Sequence, residues 1–281
     1  MMQRGTLSSA ALFFAAAAAC SLTACSDEET QPTVRTGAAS VGGGGIRISP
    51  SEAAAIGQQI WVNECGGTVE GLTSWNKGEY FASLGIGHFI WYHAGKRGPF
   101  DESFPKLVKF MESRKVDVPE VARSRACPWR SREEFLAARN SPEMRQLRSF
   151  LHRTIPYQTE FILKRLETAL PTMLASVPRS ERAVVKGRFY AVAETRKGKY
   201  ALMDYVNFKG EGTKPSERYK GQGWGMLQVL QEMRGNPRGD AAAREFAAAA
   251  DRVLTRRVAN APKNESRWLA GWRNRLKTYR P

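Results

Sequence analysis

Strand signals in this chain are confined to one short stretch, and everything beyond Pro105 repeats its apolar residues at three- and four-residue spacing. Tyr80 to Ala82, Leu84 with Ile86, and Phe89 to Tyr92 predict a sheet of two or three strands. A helix is expected just before it, over 51–64. Pro50 and Ser51 suit its start, Glu52 favours its dipole, and Ile56, Ile60, Trp61 and Glu64 fall on related faces. Gly66 and Gly67 then end it. Thr73 to Lys77 reads as a turn and 95–105 as a loop. Helices follow over 105–114, 131–139, 142–153, 157–174, 180–195, 200–208, 224–233, 240–259 and 266–279, with a polar glycine-rich loop at 210–223. The pattern predicts an α+β fold, predominantly helical, with a small early β-sheet.

The N-terminus reads as an address. Arg4 gives a short positive region, and Leu7 to Ala19 form an apolar run too short to span a bilayer comfortably. It ends Leu22-Thr23-Ala24-Cys25, which resembles the signal of bacterial lipoproteins, in which the cysteine is lipidated and becomes the mature N-terminus. An ordinary secretory signal is the alternative. The resemblance implies acyl chains on Cys25, a stable membrane anchor, and, with Ser26 next, sorting to the outer membrane facing the periplasm. Residues 1–24 are thus expected to be signal. Residues 25–49, with their Thr, Ser and Gly42 to Gly45, read as a flexible tether, and 50–281 as the folded domain.

Cys20 belongs to the signal, so Cys65 and Cys127 are the thiols left in the domain. In an oxidising compartment they read as a disulfide, with two separate buried thiols as the alternative. Such a bridge would pin the end of the helix that carries Glu64. The formal charge is +16, from 43 Lys and Arg against 27 Asp and Glu. In the envelope this favours anionic wall polymers and lipid surfaces over nucleic acid. His88, His93 and His152 show no metal-ligand spacing, and no cofactor motif is present.

Glu64 at a helix end, a polar turn, and the run Ser83-Leu84-Gly85-Ile86-Gly87-His88 resemble the active-site segment of phage-type lysozymes. There the pattern is Glu, then Asp, then Thr-Ile-Gly-Ile-Gly-His. The resemblance makes Glu64 the acid that protonates the glycosidic oxygen, and places Ser83 at the family's Thr. It departs at the family's Asp, where Lys77 stands, and Glu70 and Glu79 do not fit the spacing. Gly85 and Gly87, lacking side chains, are expected to let a glycan lie against a bare strand, with His88 at its end.

A second segment competes. Glu211 follows a helix, and Gly225-Met226-Leu227-Gln228 opens the next, an arrangement similar to lytic transglycosylases of the same superfamily. This makes Glu211 an alternative acid and Gln228 a substrate-binding residue. Trp75 and Trp224, in loop-rich contexts, are candidates for a sugar-stacking groove, whereas Trp268 and Trp272 read as core. A glycosidic acid must be protonated near neutral pH, so an apolar wall from Trp61, Phe81, Phe89 or Trp91 is expected around Glu64. The resemblances together imply a peptidoglycan-cleaving enzyme without metal or cofactor. The rival is a non-catalytic wall-binding lipoprotein of the same fold.

Overall fold

The computed structural model describes residues 45–281 except Pro99 and Ser216, so the expected signal, Cys25 and most of the expected tether lie outside the described residues. Helix α1 runs Pro50–Cys65. Ser49 accepts a bond from the Glu52 N–H at 3.2 Å, and Glu52 accepts one from the Ser49 N–H at 2.9 Å, closing a capping box. Gly66, at φ 64°, stops the helix in the left-handed conformation. The fold begins before residue 50: Ile46 and Ile48 pack on the core, and the Ile46 N–H donates to Glu167 at 2.5 Å.

The sheet is three-stranded and antiparallel, in the order β1 (Thr73–Ser74), β2 (Phe81–Leu84), β3 (Phe89–Tyr92). Leu84 faces Phe89 and Phe81 faces Tyr92, so residues 85–88 form the hairpin turn. This corrects the expectation of a strand ending in Gly-Ile-Gly-His. Gly85 takes φ 66° and His88 φ 45°, and the His88 N–H donates to the Gly85 carbonyl at 3.2 Å. A histidine in that region is uncommon and is held there by its surroundings.

Among the described residues beyond β3 there are nine helices besides a short helical turn, α3, at Glu120–Arg123: α2 (Phe104–Ser113), α4 (Arg132–Ala137), α5 (Pro142–Arg153), α6 (Ile155–Ala175), α7 (Arg179–Val192), α8 (Arg196–Lys209), α9 (Met226–Glu232), α10 (Gly239–Asn260) and α11 (Ser266–Lys277). The predicted loop at 210–223 holds a two-stranded ribbon, β4 (Arg218–Tyr219) with β5 (Gln222–Gly223). Helix α6 packs on α1, α2, α5, α7 and α8, while α10 packs on α7, α8, α9 and α11. Helix α8 therefore touches both groups, and it carries the polar side chains described below. Among the described residues no helix is long and apolar enough to cross a membrane.

The expected Cys65–Cys127 disulfide is not formed; both thiols are free and buried. Cys65 lies against the hairpin turn, 3.7 Å from the Gly85 carbonyl, whereas the Cys127 N–H donates to Tyr92 at the opposite end of β3. Three residues of strand separate those ends by about 10 Å. A disulfide needs Cα atoms within about 7 Å. Burial pushes both thiols up to about 12, with the Glu64 charge adding to the effect at Cys65.

Candidate functional site

Glu64 occupies the last turn of α1, and its side chain is 5% exposed. Three elements converge on its carboxylate. From α11, the Arg275 guanidinium donates to it. From the hairpin turn, His88 brings Nδ1 to 3.7 Å. From α8, Asn207 donates a side-chain hydrogen bond. The hairpin turn thus brings His88 against Glu64, a contact not expected from the sequence.

The surroundings are polar, not the expected apolar wall. Of the expected rings, Trp91 packs on Phe104, Phe89 on Phe161, Trp61 on His152 and Phe81 on Tyr92, while the groups that reach the carboxylate are Arg275, His88 and Asn207. Burial pushes the Glu64 carboxyl up, but the charge of Arg275, with His88 and Asn207, outweighs it and holds the group below the usual carboxylate range. Burial, against the pull of Glu64, leaves His88 below the usual imidazole range, so the His88 contact is not an ion pair at neutral pH.

Arg275 is shared. Its Nε and Nη2 donate to Asp204 at 2.7 and 2.9 Å, and Tyr279 donates its hydroxyl to Asp204 at 2.6 Å. Asp204 is fully buried. One guanidinium therefore serves two carboxyl groups, bidentate to Asp204 and through a single nitrogen to Glu64. The Arg275 plane also lies over the Phe208 ring at 4.3 Å. Beside it the Lys209 ammonium sits 4.0 Å from the Phe208 centroid and 3.7 Å from that of Trp272. Burial, with Arg257 and Arg275 nearby, pulls Lys209 well below its usual range.

Asn207 also lines a cavity of about 180 Å³ that holds Glu211, so the two carboxylates nominated from sequence flank one side chain of α8. Glu217 lines it too. Burial, and repulsion from Glu211, raise the Glu217 carboxyl.

The other expected site residues fall differently. Gly85 and Gly87 are buried, and a Cβ on Gly85 would stand 2.3 Å from Gln158 Oε1. One on Gly87 would stand 2.5 Å from the Phe89 ring. Protein, not open groove, covers those glycines. Ser83 is buried within β2, 5% exposed. Trp75 is core, 4% exposed, its Nε1 donating to the Glu79 carbonyl and its ring on Phe135. Trp224 is 8% exposed, packed at a tilt against Tyr219 with Arg257 at 4.2 Å. Gln228 ties the loop to α9, accepting from the Gly225 N–H and donating to the Gly212 carbonyl, each at 3.0 Å. Trp268 and Trp272, expected in the core, are half-buried. Lys77 is exposed in the turn before β2.

Sequence reasoning missed Asp204, Asn207, Glu217 and Arg275. Asp204 carried a signal, being the lone acid of an otherwise apolar and basic helix. Arg275 carried none, since it sits among surface-like basic residues of the last helix. Among the described residues no group of three or more His, Cys, Asp or Glu is placed to hold a metal ion. No protein-family model, curated protein or solved structure matches this chain.

Proposed function

We propose that the protein cleaves the glycan strands of peptidoglycan, with Glu64 as the general acid. One observation carries the reading: the helix-end carboxylate meets the Gly-Ile-Gly-His turn through His88 while Arg275 and Asn207 hold it from the helical side. In the proposed reaction Glu64, ionised in the free protein, takes up a proton from solvent as substrate binds and gives it to the glycosidic oxygen. The C–O bond breaks with its electron pair going to that oxygen. Substrate covering the carboxyl removes its remaining solvent, the direction that raises proton affinity. Asp204, by taking two of the Arg275 donors, leaves Glu64 the weaker share of that cation. With Lys77 in place of a second carboxylate, the sugar's own hydroxyl attacks and returns its proton to Glu64, giving an anhydro end. The chain would work as a lipoprotein of the outer membrane, anchored at Cys25 and facing the periplasm, its basic surface drawn to the wall.

The exposed Lys77 and the ionised, buried Glu64 favour a second reading, a wall-binding lipoprotein without turnover. A zymogram of the full chain on sacculi separates the two. Clearing by the wild type is expected, and no clearing leaves only the second reading. Mass spectrometry of released sugars then tests the anhydro end.

A further inference from the structure

The cavity beside Asn207 is bounded by α6, α8 and the loop that follows α8. Its back wall is apolar, from Ile162, Leu166 and Val206. Its polar lining is charge-balanced, with two cations, Arg165 and Lys214, and two carboxylates, Glu211 and Glu217. Among the described residues none of these four makes an ion pair, although Arg165 feels Asp101, outside the cavity, and then Glu211, and Glu217 feels Lys214. Nearby charges of this chain behave otherwise. Arg252 and Arg256 both clasp Glu232, and Arg257 clasps Glu265 at 2.9 Å. Charges of both signs left unpaired around a cleft, the two cations reaching solvent and the two carboxylates half-buried, complement a ligand that carries both signs. A simple anion would meet repulsion from Glu211 and Glu217, a simple cation from Arg165 and Lys214, and a neutral sugar would leave all four uncompensated.

Size narrows the ligand further. At about 180 Å³ the cavity falls below the range of roughly 300–1,000 Å³ that encloses a whole drug-sized ligand. It takes a head group, not a glycan strand.

We propose that this cavity binds a zwitterionic amino-acid group, with its carboxylate on Arg165 and Lys214 and its ammonium on Glu211 and Glu217, and that this group is the end of a peptide stem branching from the glycan at Glu64. The stem assignment rests on the wall-cleaving reading. Asn207, bonded to Glu64 and lining the cavity, is the wall shared by the two sites. Glu217 also accepts from the Gly212 N–H, and Gln228 holds Gly212, so the acidic wall is built and not loose.

The test is calorimetric titration of the purified full chain in detergent. Three probes share a seven-carbon chain: 2,6-diaminopimelate with both charge signs, pimelate with carboxylates only, and 1,7-diaminoheptane with ammonium groups only. Saturable binding of diaminopimelate is expected, with each control weaker by about tenfold or more, the loss of one charge-assisted wall. Glu217→Gln, isosteric, and Arg165→Gln, at an exposed position, should each weaken it by about tenfold while leaving the melting temperature unchanged. Stem-bearing glycan fragments should compete for the site, and fragments stripped of their stems should not. No binding, equal binding of either single-sign control, or variants that bind like the wild type would overturn the site. Stem-bearing fragments that fail to compete would overturn the stem assignment. These readouts measure binding, not turnover. Sacculi that clear without diaminopimelate binding leave Glu64 standing and remove the cavity, whereas binding without clearing does the reverse.

Discussion

Glu64 and Asp204 lean on the same guanidinium, and this makes their neighbourhood asymmetric. Arg275→Met leaves two buried carboxyl groups without their cation, a loss on the order of 3–5 kcal/mol. In a domain of this size that lowers the melting temperature by roughly 10 °C. Glu64→Gln leaves Arg275 paired with Asp204 and should cost about 1 kcal/mol, so thermal melts of the two variants should differ plainly. The pH dependence follows from two depressed groups. His88, below 6.5 when folded, takes its proton more readily in the unfolded chain, so stability falls as pH drops below that value. Glu64, below 4.5 when folded, adds stability that is present above that value and lost as pH falls further. Melting temperature measured from pH 7 down to pH 4 should decline in that order, and His88→Asn should flatten the upper part of the decline.

At the scale of elements, the hairpin turn is held between α1 and α6. The Ile86 N–H donates to Gln158 Oε1 at 2.9 Å, and Gly85 brings the turn close enough for that bond. Gly85→Ala would put a methyl group into Gln158 at a φ of 66°, costing about 1–3 kcal/mol and loosening His88 from Glu64. Denaturant unfolding should report that loss, and any wall cleavage should fall with it. The free thiols belong here as well. Reductant should not move the melting temperature, and Cys65 and Cys127 should react with thiol reagents only after unfolding. Much of this scale was legible. Apolar spacing locates the helices within a few residues, and Pro50 and Gly66 mark the ends of α1, although the cap is Ser49 and not Ser51. What was not legible is how the glycines are used. Alternation at Gly85 and Gly87 reads as open strand, and only the position of Gln158, on a helix far along the chain, makes them a packed turn.

Across the whole molecule, the site joins the two ends of the domain. Glu64 and Arg275 are 211 residues apart in sequence, and α8, which supplies Asp204 and Asn207, lies between. Local pattern cannot announce such a meeting: a buried arginine and a solvated one look alike when the partner is remote. The disulfide expectation failed for the same reason. Spacing and compartment invite it, but the hairpin places the two cysteines at opposite ends. The excess of Lys and Arg acts at this scale as well. Binding to isolated sacculi, measured by co-sedimentation, should weaken as salt rises from about 0.05 to 0.5 M and the Debye length shortens. Glu64 as general acid remains the claim on which the rest depends. It is tested most directly by the soluble sugar released from sacculi by the wild-type chain and by Glu64→Gln, compared at equal folded fraction. Release by the wild type and none above background by the variant is expected. Release undiminished in Glu64→Gln would contradict it.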